Sequence, residues 1–330
     1  MLVVGFQGSP RRRGNTYFLT STFLSEAERL GASVRFLEVD RMQVVPCKEY
    51  VVCEKKGYCP IEDEVLTEIY PLIREADLIV LGTPVFFYNM TAQLKAVIDR
   101  CQMFWARKYR LNLRDPKRGT KKGLLLSVAA TRGKKLFDAI HLTVKNFCDA
   151  VDVTYADHLT YREIEGPTDM KRHPTVAEDI RALAEKWVTP LTERPRLLFL
   201  GRTDDGISQM AAAIAEDRFG ARFEVTHAGV SAIDRIDEAM VDAMAGIGLD
   251  VAFRRPRHLP ELTAAGYEPD VCIPVESLEA ALPDFTHTLA PWSAIDEGRT
   301  TMAAALTMVE KRVSELPGVL DALNIVGNGA

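Results

Sequence analysis

Twice in this chain a short apolar run opens directly into a polar, glycine-bearing loop and then an amphipathic stretch. Leu2–Phe6 leads into Gly8–Thr16, and Leu197–Leu200 leads into Gly201–Gly206. A strand that turns through a tight loop into a helix is the opening of a βαβ unit, and that geometry restricts the fold more than any composition can. Behind the first opening, Asn15–Gly31 has the helical period, with Leu19, Phe23, Ala27 and Leu30 on one face, Asn15 as a cap and Gly31 as a stop. Further strands are expected at Ser33–Val39, Leu78–Gly82, Leu124–Ala129 and Val151–Ala156. Helices are expected at Thr91–Trp105, Lys135–Asp149 and Val176–Trp187. Strand and helix in alternation imply an α/β, doubly wound parallel sheet covered on both faces.

The pattern restarts after the polar, proline-bearing stretch Thr192–Arg196, with a helix expected at Ile207–Phe219 and a strand at Phe223–His227. A helix at Thr300–Leu316 and a short, fraying helix from Pro317 follow. A chain of 330 residues exceeds one ordinary core, so two domains are expected, 1–190 and 191–330. The net charge of −5 argues against a broad nucleic-acid footprint. One stretch is locally basic (Arg107, Lys108, Arg110, Arg114, Lys117, Arg118, Lys121, Lys122), either a solvated loop or a contact for an anion. Met1–Gly5 runs straight into the first motif, leaving no room for a signal peptide, and no apolar run reaches membrane-spanning length. The expected location is cytoplasmic. Of six cysteines, Cys47, Cys53 and Cys59 cluster, which in a reducing compartment suggests metal or redox chemistry more than disulfides.

Gly8–Thr16 lies where open α/β sheets bind ligands, at the carboxyl ends of the strands. A helix N-terminus offers unpaired N–H groups and a positive dipole end to a phosphate. Ser9, Asn15 and Thr16 add side-chain donors, Gly14 permits close backbone approach, and Arg11 supplies charge-assisted hydrogen bonds. The plainer alternative is a polar turn with solvated arginines. The segment resembles the G-S-P-R-x-x-G-N-T loop of the NADPH-dependent FMN reductase and iron–sulfur flavoprotein families, matching every fixed position. Thr83–Arg100 (TPVFFYNMTAQLKAVIDR) resembles a second segment of those families, whose first part lines the isoalloxazine ring. The resemblance therefore implies that Pro84, Val85, Phe86, Phe87, Tyr88 and Asn89 face the flavin. A core position for Phe86 or Phe87 is the alternative, since neighbours on a strand point to opposite faces. Ser127–Gly133, with Thr131 and Gly133, corresponds to the loop that in those families closes over the flavin. The resemblance implies FMN, the strand order 2-1-3-4-5 and a homodimer or higher homo-oligomer.

Pro46–Cys59 resembles the C-x2-C-x2-C-x5-C segment of iron–sulfur flavoproteins, with Tyr50 where the second cysteine belongs. Cys47, Cys53 and Cys59 are the candidate metal ligands. A [4Fe–4S] cluster ordinarily takes four thiolates, so three thiols in a loop near the flavin, without a cluster, is the favoured reading.

In the second half, Leu197–Ala211, Ala228–Val230, Ile236–Asp250 and Arg255–Leu259 resemble low-molecular-weight tyrosine phosphatases and related arsenate reductases. Gly201 stands at the nucleophilic cysteine of those families and Ile207 at the phosphate-clamping arginine. Without thiolate and guanidinium no covalent phosphoryl step is available. Asp204 and Asp205 further oppose an anion, Asp296 aligns with the general acid, and Cys272 is expected to be buried. The combined reading is an FMN-dependent oxidoreductase: NAD(P)H reduces the flavin, which reduces a quinone, free flavin or another small acceptor. The second domain is then a binding or assembly module, with a possible protein partner. An electron carrier or redox sensor is the alternative, and a fusion belonging to arsenic metabolism a third reading.

Overall fold

The computed structural model describes residues 1–278, 282–292 and 301–325. The chain divides into two compact units: Met1–Asn112 with Thr120–Thr192, and Leu113–Gly119 with Glu193–Ala330.

The first unit holds a parallel sheet of β1 (Leu2–Gln7), β2 (Ser33–Glu38), β3 (Leu78–Pro84), β4 (Lys122–Val128) and β5 (Thr154–Tyr161), in the order β2-β1-β3-β4-β5. This is the flavodoxin-like order expected from the sequence. Its helices are α1 (Asn15–Arg29), α2 (Val52–Lys56), α3 (Tyr70–Glu75), α4 (Ala92–Arg100), α5 (Gln102–Tyr109), α6 (Asp138–Ala150), α7 (Asp169–Arg172), α8 (Val176–Trp187) and α9 (Thr189–Thr192). Val3, Val80, Leu124 and Leu126 pack with Leu19, Phe23 and Ala27 of α1 and Ile180 and Leu183 of α8. Alternate strand residues Val4, Phe6, Ile79, Leu81 and Leu125 are buried as well, so both faces of the sheet are covered. Unbroken apolar runs on the central strands are the direct consequence.

Local departures from expectation have identifiable causes. The helix expected over Thr91–Trp105 divides at Cys101, where the Tyr70 hydroxyl donates to the Arg100 carbonyl at 2.8 Å. The fifth strand starts at Thr154, because Val151 N–H still donates to Phe147 O and Val153 N–H to Cys148 O. Gly31 does end α1, in left-handed backbone at φ +89°, but the cap is Gly14 and not Asn15.

In the second unit β6 (Arg196–Gly201), β7 (Glu224–Gly229) and β8 (Val271–Pro274) form a smaller parallel sheet in the order β7-β6-β8. Its helices are α10 (Ile207–Phe219), α11 (Glu238–Gly246), α12 (Leu259–Ala264) and α13 (Met302–Ala322). The helix expected to stop before Pro317 runs through it, because Val309, Val313, Leu316 and Leu320 continue one buried face. The segment Leu113–Gly119 departs from the expected division at residues 190/191 by belonging here. Arg114 N–H donates to Gly248 O at 2.9 Å, Asp250 N–H donates to Arg114 O at 2.8 Å, and Arg118 pairs with Asp217 at 2.5 Å.

Candidate functional site

The loop after β1 is built from the strand outward. The Gln7 side chain accepts Ser9 N–H at 3.0 Å and donates to Ser9 O at 3.2 Å, holding the chain in its first bend. Gly8 N–H donates to Gly82 O, and a Cβ on Gly8 would lie 2.8 Å from Leu94 Cβ. Close approach to β3 and α4 therefore demands glycine. Thr91 joins these parts: its hydroxyl donates to Gly8 O at 2.5 Å and accepts Leu94 N–H at the start of α4.

Ser9 is buried and its Oγ accepts Arg11 N–H at 3.2 Å, which leaves the hydroxyl proton available to a ligand. Arg11, Arg12 and Arg13 are exposed, with Arg13 in left-handed backbone at φ +53°. Gly14 caps α1 without any side-chain hydrogen bond, and no acidic residue stands in the first turn. The positive end of the helix is thus unneutralised by the protein's own groups there. Thr16 is buried behind it. Asn15 is turned elsewhere: its Nδ2 donates to Gly166 O at 2.7 Å and its Oδ1 accepts Met170 N–H at 3.1 Å.

At the end of β3, Pro84 pairs with Val128 of β4 and Val85 N–H donates to Val128 O. The chain then makes a two-residue turn. Phe86 N–H donates to Asn89 O at 2.7 Å, and Asn89 N–H donates to Phe86 O at 2.9 Å. Phe87 and Tyr88 sit at φ +46° and +62°, a conformation costly for bulky side chains and characteristic of functional sites. Neither Phe86 nor Phe87 is in the core: Phe86 and Tyr88 are about half exposed and Phe87 wholly so, at 104%. The core alternative fails because the segment is a turn, where strand alternation does not apply. A Cβ on Gly133 would lie 3.0 Å from the Tyr88 hydroxyl and 3.1 Å from the Leu136 side chain, so the Thr131–Gly133 loop comes close to the aromatic turn. Thr131 is exposed beside Arg132, whose Nε donates to Glu163 at 2.5 Å. Gln7, Thr91 and Glu163 were not singled out by sequence. Thr91 lies inside the Thr83–Arg100 match, whereas Gln7 and Glu163 have no such signal.

The cysteine segment is held at both ends by one buried ion pair. Arg100 donates to Asp63 at 2.6 and 3.1 Å, to Val45 O at 2.8 Å and to Ile61 O at 3.2 Å, while Asp63 also accepts Val45 N–H. Arg107 holds the middle by donating to Gly57 O at 2.8 Å. Cys47 is exposed, Cys53 and Cys59 are half-buried, and burial, then Cys59, push the Cys53 thiol up. Among the described residues no group of three or more His, Cys, Asp or Glu is placed to hold a metal ion. Tyr50 is exposed. Within the basic stretch Lys108 pairs with Asp149 and Asp152, and Lys121 is buried against Ile73 O and Arg74 O, so these cations serve the fold.

The second unit has the same kind of crevice, after β6, and fills it with its own carboxylates. Asp204, in left-handed backbone at φ +57°, accepts from Ser208 Oγ at 2.6 Å, His227 Nδ1 at 2.8 Å and Arg257 N–H at 2.8 Å. Buried Glu276 accepts Arg202 N–H at 2.5 Å and pairs with its guanidinium at 3.2 Å. A Cβ on Gly201 would lie 3.2 Å from Ser208 Oγ and 3.4 Å from Glu276 Oε1. Cys272 is buried on β8, its thiol pushed up to about 12 by burial. Asp296 lies outside the described residues.

The family model of the NADPH-dependent FMN reductases matches residues 1–155. An iron–sulfur flavoprotein of Methanocaldococcus jannaschii is 40% identical over 100 residues, 30% of this chain and 51% of its own length. An iron–sulfur flavoprotein of Methanosarcina thermophila is 31% identical over 144 residues, 43% of this chain and 71% of that protein. The chain spans about half the length of the first curated relatives it matches. A solved arsenate reductase in the phosphate binding state aligns with 38% of this chain and 98% of its own, at 20% identity and a TM-score of 0.33. At that score the likeness carries no function to the second unit.

Proposed function

Because the chain belongs to the iron–sulfur flavoproteins and its residues 1–155 match the FMN reductase model, we propose that its first unit is an NAD(P)H-dependent oxidoreductase passing electrons to a small acceptor. The observation that carries this reading is the cradle after β1: a helix N-terminus capped by Gly14 without a side-chain hydrogen bond, the Ser9 hydroxyl and three exposed arginines, with a strained aromatic turn on the same sheet edge.

These residues fit FMN. Ser9, Arg11, Thr16 and the first N–H groups of α1 would hold the phosphate, and Gly14 keeps the backbone close to it. Pro84–Asn89, Thr131 and Gly133 would border the ring. When bound, the flavin supplies one- and two-electron transfer; the protein binds it, orients it and restricts water at its faces. No protein acid or base is required in this scheme. The cysteine segment does not fit a four-thiolate cluster, since Cys47, Cys53 and Cys59 are the thiols present and Tyr50 takes the remaining place. No step is assigned to it.

The second unit is a binding or assembly module without phosphatase or arsenate reductase activity. Asp204 and Glu276 occupy its crevice, position 201 has no side chain to attack a phosphate, and Ile207 carries no charge. A homodimer, a protein partner of the second unit and a cytoplasmic location complete the reading. Among the described residues no helix is long and apolar enough to cross a membrane.

Purified full-length protein is expected to be yellow, to release FMN and not FAD on denaturation, and to bleach when NADPH or NADH is added without oxygen. The same preparation should not hydrolyse p-nitrophenyl phosphate above the buffer rate. A colourless protein that binds no FMN on titration ends the flavin reading, and turnover of the phosphate ester ends the reading of the second unit.

A further inference from the structure

We propose that the segment Arg162–Met170 is part of the flavin site, and that Asn15 is the positioning residue that ties it down. Asn15 begins α1, the place where a phosphate-binding side chain is expected, yet its amide reaches 151 and 155 positions along the chain. It donates to Gly166 O at 2.7 Å and accepts Met170 N–H at 3.1 Å. A tie of this length between a helix start and a loop after the last strand fixes where that loop sits over the carboxyl edge of the sheet, the edge at which such folds bind ligands.

The segment is shaped to be held there. Gly166 N–H donates to Asp169 at 2.6 Å, and a Cβ on Gly166 would come within 2.7 Å of the same carboxylate. Met170 is fully buried in the core that also holds Leu19 and Phe23 of α1. At the other end Ile164 N–H donates to Ala129 O at 3.0 Å, and Glu163, at φ +62°, accepts from Arg132. Arg162–Met170 is therefore tied to the phosphate loop through Asn15 and to the loop bearing Thr131 and Gly133 through Glu163. An exposed ion pair such as Arg132–Glu163 contributes little alone. The Asn15 tie, half-buried and with both ends of the amide engaged, is the stronger constraint.

This inference rests on FMN binding by the first unit, and its test separates the two. In full-length apoprotein, hydrogen exchange is measured with and without FMN, and FMN affinity is measured by quenching of flavin fluorescence. Added FMN is expected to slow exchange at residues 163–170 as well as at the phosphate loop. Asn15→Ala, which removes two neutral hydrogen bonds, and Asp169→Ala, which removes a carboxylate-accepted one, are each expected to weaken FMN about threefold to tenfold, since both act on the flavin only through the segment. Both should speed exchange at 163–170 in the apoprotein while the middle of α1 stays protected. Acting through one segment, the two changes should be non-additive, so that the double variant binds FMN about as well as the weaker single one. Wild-type protein that binds FMN with unchanged exchange at 163–170 overturns the inference alone, as does full additivity or an Asp169→Ala variant with wild-type affinity. Wild-type protein that does not bind FMN overturns it together with the reading on which it rests.

Discussion

The loops after β1 and β6 are built alike and finished differently. Each follows a buried parallel strand, carries a non-glycine residue in left-handed backbone (Arg13, Asp204) and starts a helix capped by glycine. After β1, the arginine side chains Arg11, Arg12 and Arg13 are exposed. After β6, two buried carboxylates of the chain accept from the loop and its surroundings. The strand–loop–helix frame is shared; what differs is the side chains set around it, exposed arginines in one and buried carboxylates in the other.

The sharpest way to break this contrast is to remove a resident carboxylate. Asp204→Ala leaves the Ser208 hydroxyl, the His227 ring and Arg257 N–H without their acceptor, and should destabilise the second unit by roughly 2–4 kcal/mol in urea unfolding. A change below about 0.5 kcal/mol would mean that Asp204 is a passenger in the loop. Arg11→Ala is expected to do the opposite in the first unit. Apoprotein stability should move by less than about 0.5 kcal/mol, as for a surface substitution. FMN affinity should fall roughly tenfold to 100-fold with loss of a charged hydrogen-bond donor. Equal losses of stability and affinity would erase the distinction between a loop whose charges serve a ligand and one whose charges serve the fold.

The smallest effect concerns the thiols. Exposed Cys47 should alkylate first under iodoacetamide, followed by mass spectrometry, and buried Cys272 should stay unlabelled in native protein. Cys53 has its thiol raised by burial and by Cys59, so it is protonated and slow near pH 7 and quickens as pH climbs toward its raised pKa. A Cys53 that reacts fastest at pH 7 would place an unrecognised cation beside it.

The parts that could be read from sequence were those that sequence encodes locally. Apolar runs such as Leu78–Leu81 and Leu197–Leu200 specify strands because their neighbours in the chain share one buried environment. The strand–loop–helix form of the first loop was legible because it is written within nine consecutive residues. Asn15 does not cap α1, a place Gly14 takes, and its side-chain partners lie more than 150 residues away, where no local pattern points to them. The Phe86–Asn89 turn escaped for another reason: bulky residues at positive φ run against local preference, so only the surrounding structure reveals it. The Cys47–Cys59 segment depends likewise on Arg100 and Arg107, whose guanidiniums carry no mark in sequence of the carbonyls they hold.

The placement of Leu113–Gly119 in the second unit has a practical consequence. The backbone passes from one unit to the other three times, at 112/113, 119/120 and 192/193, so the units are laced and not merely joined end to end. A stop after Thr192 would discard Gly248 O, Asp250 N–H and Asp217, and strand a strip of chain from the middle of the first unit without them. A fragment starting at Glu193 would lack the same strip from its own side. Neither half is a clean excision product, and protease nicking at the Thr192 link alone would leave the pieces stitched together by those bonds.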